Sequence, residues 1–312
     1  MINHLGDNSI GWLVGRGKQS VEQYDHCVAW LKRAFDHLEA IAEPKSSVED
    51  WAKYRAAREQ VLPLLSRLDM ANRELLIPGL ADGQGAIVFE ATAVDDQWCN
   101  FMSAAQQELP LPTLALVYGV SNADLVKRGA VEYFDVAQDV VEIAHQAEPT
   151  DFPQFTIPVP TESKITGGTV YSYEIPAQLG GSDRIAPNAS LSDSVLVLSL
   201  LPELGEKLLT SAAPAIDSPA AEFGRPLVYA AHFQCAKFIE LLKPWIDYGI
   251  QVAIENANQD AATAVGMVGF VKPQVYLFLD VLKAFDSYTG VTYREDDTWV
   301  THGELRLIDL GN

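Results

Sequence analysis

The sequence predicts an α+β fold: a mostly antiparallel sheet with helices on one face, preceded by an N-terminal αα-hairpin. Three observations carry this. Apolar residues recur at spacings of three and four from residue 20 to 73, the period of a helix face. From about residue 84 they gather instead into short runs bounded by Gly, Pro and Asp, as strands do. Finally, 48% hydrophobic and 21% charged residues are the proportions of a folded chain, not a disordered one.

Val21, Tyr24, Val28, Leu31, Phe35, Leu38 and Ile41 place the first helix on one apolar face, and Ser20 with Gln23 fits a capping box at its start. Pro44 ends it. The second helix opens near Ser46 or Ser47 and carries the stripe Trp51, Tyr54, Val61, Leu65 and Leu68. Pro63 is expected to kink or split it. The stripes of such a hairpin need a partner surface, so it is expected to dock on the rest of the chain. Residues 85–92 and 113–119 read as strands. Ser121 or Asn122 then caps a helix running to about Ala147. The Pro-rich stretch 148–168 reads as extended. Thr169–Pro176 and Ser194–Leu201 follow as strands, separated by a loop over 180–188. Residues 211–226, with Pro214, Pro219 and Pro226 among alanines, read as a linker. Residues 227–231 read as a strand running into a helix with Phe238, Leu242 and Trp245, and alanine content leans 250–264 towards helix. Pro273 suits a first helical turn, and Val265–Phe285 reads as a buried helix too interrupted to span a bilayer. Val291–Glu295 and Trp299–Leu310 close the chain as a hairpin across Asp296-Asp297.

Two units are expected: a helical subdomain over 1–78 and an α+β domain over 79–312. The order strand, helix, strand, strand occurs at 113–202 and again, with an extra helix, at 227–310. Leu116-Val117-Tyr118 and Leu227-Val228-Tyr229 open the two segments. That order fits either a duplicated βαββ unit, with halves 79–210 and 211–312, or a chance likeness, because strand–helix alternation is common.

Charge narrows the partners. Forty-two acidic residues against 22 basic ones leave a net −20, which repels phosphate backbones and anionic bilayers. Neither nucleic acid nor membrane insertion is expected. Cys27, Cys99 and Cys235 stand far apart without a CxxC pair, so no zinc ribbon or thioredoxin-type site is expected. No secretory signal opens the chain, and the compartment is not fixed. If the chain belongs to a longer precursor, an exported or cell-envelope setting is expected.

Candidate chemistry is sparse. Gly11 to Lys18 invites a phosphate-loop reading. However, five residues separate Gly11 from Gly17, and Gln19 supplies no hydroxyl for magnesium, so a flexible lead-in to the first helix is expected. His232 and Cys235 sit where a strand enters a helix. A thiol at a helix N-terminus beside an imidazolium would be an activated nucleophile; a buried structural cysteine is the plainer account. Asp95-Asp96 and Glu295-Asp296-Asp297 are carboxylate clusters in predicted turns, where solvation explains them. No two of the six histidines share a tight metal spacing, so neither metal nor cofactor is expected. In the loop 180–188, Asp183, Arg184 and Asn188 offer a carboxylate, a guanidinium and an amide to a small polar ligand, or to one another as turn formers. Tyr171, Tyr173, Tyr293 and Trp299 alternate along strands and are expected to line one sheet face with rings. The general layout resembles exported bacterial proteins built from repeated α+β modules, and no motif carries an activity or a site across.

With no convergent reactive set, the leading expectation is a non-enzymatic binding or structural module of a bacterial envelope or larger assembly. Its partner would be a protein or a small polar ligand. The alternative is a hydrolase or transferase assembled from distant residues, with Cys235, His232 and the carboxylates of the last hairpin as its candidates.

Overall fold

The computed structural model describes residues 1–175, 180–210, 227–256 and 261–308. The linker expected at 211–226 lies outside them. The chain alternates β1 (Gly11–Arg16), α1 (Val21–Ala42), α2 (Val48–Ala71), a short α3 (Ile77–Gly79) and β2 (Gln84–Glu90). Two-residue strands β3 (Val94–Asp95) and β4 (Leu109–Pro110) precede β5 (Thr113–Gly119) and α4 (Ala123–Ala147). Then come β6 (Thr161–Ile165), β7 (Gly168–Ser172), β8 (Asn188–Leu191), β9 (Val195–Ser199) and α5 (Pro202–Thr210). The last part is β10 (Leu227–Gln234), α6 (Cys235–Asn256), α7 (Ala261–Leu282), β11 (Phe285–Glu295) and β12 (Thr298–Leu307).

One antiparallel sheet of ten strands organises the molecule, in the order β12-β11-β10-β1-β2-β5-β9-β8-β7-β6. β1 lies near its middle, paired with β2 and β10. Residues 11–16 are therefore a strand, not a flexible lead-in. Trp12 and Val14 point into the core while Leu13 points away, so the alternation is that of a half-buried strand.

The main core lies on one face: Trp12, Val14, Val88, Val117, Val197 and Val291 pack under Leu5 and under Leu204 and Leu208 of α5. On the opposite face α4 covers only the part around Leu191 and Leu196. Helices thus sit on both faces. Among the described residues the segments 113–202 and 227–310 differ in content, since the first holds one long helix and five strands, and the second two helices and three strands. What does recur is a strand–helical hairpin–strand arrangement: β1-α1-α2-β2 and β10-α6-α7-β11. β1 and β10 are antiparallel neighbours, so the two hairpins leave the sheet at opposite ends.

Both first-hairpin caps form as the sequence implies. Ser20 Oγ accepts from Gln23 N–H, and Ser47 Oγ accepts from Asp50 N–H. α2 runs unbroken through Pro63, without the expected split, and α7 likewise carries Pro273 in its interior, not in its first turn. α2 lies along α4, tied by Arg67 to Asp139 at 2.5 Å and by Tyr133 to Asn72 at 2.9 Å. Gly129 lets α4 approach the helical segment that follows α2: a Cβ there would lie 2.4 Å from Leu76.

Candidate functional site

The residues flagged for chemistry do not converge. His232 ends up on β10 and Cys235 at the first position of α6. His232 Nδ1 lies 2.9 Å from Thr289 Oγ1, and its ring is 5.9 Å from that of Trp12. Burial pushes the imidazole below its ordinary value, against the opposing charge of Asp286. Burial also pushes the Cys235 thiol up, and Asp286 adds to this. An activated pair needs the reverse, a thiolate beside an imidazolium. At neutral pH the structure favours a neutral ring and a protonated thiol.

The loop residues are tied into the scaffold. Arg184 donates to Val94 O at 2.5 Å and to Glu203 Oε1 at 2.6 Å, and its guanidinium lies 5.8 Å from the centre of the Trp98 ring. Asn188 is buried; its amide donates to Ala186 O and Ser199 O and accepts from Ser199 Oγ. Asp183 and Arg184 do line an open cavity of about 410 Å³ shared with Glu203 and Glu206, and Asn188 does not reach it. Asp95 accepts from Ser182 Oγ and from Gln97 N–H. Burial works to raise its carboxyl, but these hydrogen bonds outweigh burial and hold it below the ordinary value. In the last hairpin Asp296 adopts φ 52°, Arg294 clasps Asp297 at 2.9 Å, and Asp297 is fully exposed. These are turn-forming roles.

The Gly11–Lys18 segment takes part in a different feature. Gly15, Arg16, Gly17, Gly83, Tyr118 and Gly119 line an open cavity of about 370 Å³ at one end of the sheet. A phosphate loop needs free backbone N–H groups, whereas residues 11–15 lie between β2 and β10 and pair with both.

Glu90 was not legible as special. It follows Ala86 and Val88 on the inward side of β2, and that alternation is the signal that could have marked it. Only 1% exposed, it accepts from Lys207 Nζ at 2.7 Å and from Thr92 Oγ1 at 3.2 Å.

The larger surprise is apolar. No residue of α1 is buried, so its stripe does not dock on the body of the chain as expected. Polar contacts tie the hairpin together. Glu39 meets Tyr54 and Arg58, Glu43 meets Arg55, and Asp25 meets Arg73. Trp30, Leu31 and Leu38 stand at 67, 59 and 64% exposure. α7 is not the expected buried helix either: Phe270, Leu277 and Phe278 are exposed, while Leu279 points inward. The sheet face opposite the main core is bare over its middle. Leu13, Ile87, Leu114, Tyr229, Tyr288 and Leu305 are all exposed there, and the row Leu13–Ile87–Leu116 is in direct register across three strands. Tyr293 and Trp299 lie on opposite faces, since Trp299 pairs with Arg294 and Tyr293 with Val300; the expected single face of rings is absent.

Among the described residues no group of three His, Cys, Asp or Glu is placed to hold a metal ion, and no helix is long and apolar enough to cross a membrane. No family model, no curated protein and no solved structure matches the chain.

Proposed function

We propose that this protein is a non-catalytic assembly module that binds other protein chains through outward-facing apolar surface. One observation carries the reading: large apolar side chains on α1, on α7 and across the bare middle of the sheet all point to solvent. Contiguous exposed apolar patches of this kind mark interaction sites in soluble proteins. The residues that an enzyme reading would need are held in hydrogen bonds or titrate in the unhelpful direction.

Two measurements test this. A neutral polarity-sensitive dye such as Nile red should bind the native protein, or the protein should associate in solution. A monomer that takes up no dye would overturn the reading. Separately, Cys235 should react with a thiol reagent at pH 7 more slowly than the same cysteine in the unfolded chain. Faster reaction would restore the nucleophile and with it the enzyme alternative.

A further inference from the structure

The first hairpin has a periodicity that its fold leaves unused. In α1 the residues Val21, Tyr24, Val28, Leu31, Phe35 and Leu38 alternate spacings of three and four, as do Trp51, Tyr54, Arg58, Val61, Leu65 and Leu68 in α2. That is the a/d repeat of a coiled coil, which specifies packing against further helices. Within the hairpin the repeat is only partly used. Its polar ties engage Glu39, Tyr54 and Arg58, while Leu31, Phe35, Leu38, Val61 and Leu65 remain exposed. From the contacts Asp25–Arg73 and Glu39–Arg58, the two helices run antiparallel with Phe35 beside the level of Leu62. The exposed side chains of α1 and α2 therefore fall at the same height along the hairpin.

We infer that the α1–α2 hairpin docks on the same hairpin of a second copy of this chain, the four helices closing a bundle. This rests on the assembly reading above and names its occupant. Ten large apolar side chains on these two helices are exposed, and five of them, Leu31, Phe35, Leu38, Val61 and Leu65, belong to the a/d repeat and supply the seam of such a bundle. Charge permits it too. Residues 21–76 carry ten acidic and eight basic side chains, and residues 235–283 carry five and four, so the remaining 27 acidic and ten basic residues hold nearly all of the net −20. Two copies of so acidic a protein would repel one another through most of their surface; the first hairpin is close to neutral. No residue of α1 is buried, and α2 meets α4 through Arg67 and Asp139, so among the described residues α1 is open to a second hairpin. An isologous pair of identical patches is the commonest form of oligomer.

The test is solution mass by sedimentation or light scattering of the full chain at about 50 μM. Twice 34.2 kDa is expected for the native protein. The double substitution Leu31→Glu/Leu38→Glu should weaken the dimer at least a hundredfold, with helical circular dichroism unchanged, because nothing in α1 is buried. Leu114→Glu, on the bare sheet face, should leave the dimer intact. If the charged variant does not fold, Phe35→Ala/Leu38→Ala serves in its place and should weaken the dimer at least tenfold. A native protein that stays monomeric while still binding Nile red would overturn the second-copy inference and leave the assembly reading standing. A monomer without dye binding would remove both. A dimer indifferent to the α1 substitutions but broken by Leu114→Glu would place the contact on the sheet and overturn the hairpin assignment.

Discussion

Replacing Lys207 by Met strands the carboxylate of Glu90. The two groups meet at 2.7 Å, where the gross attraction at an effective dielectric constant of about 20 is roughly 6 kcal/mol. Part of this is offset, because Lys207 keeps about a third of its side chain in water and gives up hydration on pairing. Glu90 has no such outlet: it is 1% exposed, and among the described residues it would keep the hydrogen bond from Thr92 and the more distant charge of Lys237. Removing one member of a buried pair costs about 3 kcal/mol. Lys207→Met should therefore lower the urea midpoint with an unchanged denaturant slope. The double variant Glu90→Gln/Lys207→Met should recover a substantial part of the loss, since no uncompensated charge is left. The effect also has a pH signature. Burial pulls the Lys207 ammonium down, but Glu90 and Asp7 outweigh burial and hold it above its ordinary 10.5. A raised folded value means that the stabilisation is fully present below pH 10.5 and is lost as pH climbs through the folded value. The variant should lack that loss. A cost under about 1 kcal/mol, or a double variant weaker than the single, would refute the reasoning.

Two other perturbations follow from the same geometry. Burial and the neighbouring carboxylate of Asp247 push the Tyr276 hydroxyl up from 10.0 to about 12. The difference in tyrosinate absorbance between native protein and Tyr276→Phe should therefore appear near pH 12, and a difference centred at 10 would contradict the α6–α7 contact. A Cβ at Gly168 would sit 2.4 Å from the backbone oxygen of Leu191, which cannot swing aside, so Gly168→Ala should cost about 1–3 kcal/mol in urea unfolding.

Much of the architecture was readable because local chemistry and tertiary packing agree. Asn122 caps α4 and β5 spans Thr113–Gly119 as its alternation implies. The final hairpin turns at Asp296-Asp297. β1 is hidden because Gly11 and Gly15 dilute a strand whose apolar side chains are only Trp12, Leu13 and Val14, and because its second partner, β10, lies more than 200 residues away. Pro63 reads as a kink or split and Pro273 as part of a first helical turn, yet each sits inside an unbroken helix. The stripes on α1 and α7 were read as inward because periodicity reports that a face is apolar, not what covers it. For the site, Asn188 and Arg184 were visible as polar groups, but whether they face a ligand or the scaffold depends on Ser199, Val94 and Glu203, which only the fold brings near.

The central position of β1 also bears on biosynthesis. Its partner β2 emerges from the ribosome soon after it, but β10 begins at Leu227. At about 5–20 residues per second the second seam of β1 waits roughly 10 to 40 s for its complement. Throughout that interval the nascent polypeptide displays an unpaired strand margin beside exposed leucines, a combination that invites capture by chaperones and rewards prompt release of the completed C-terminal third.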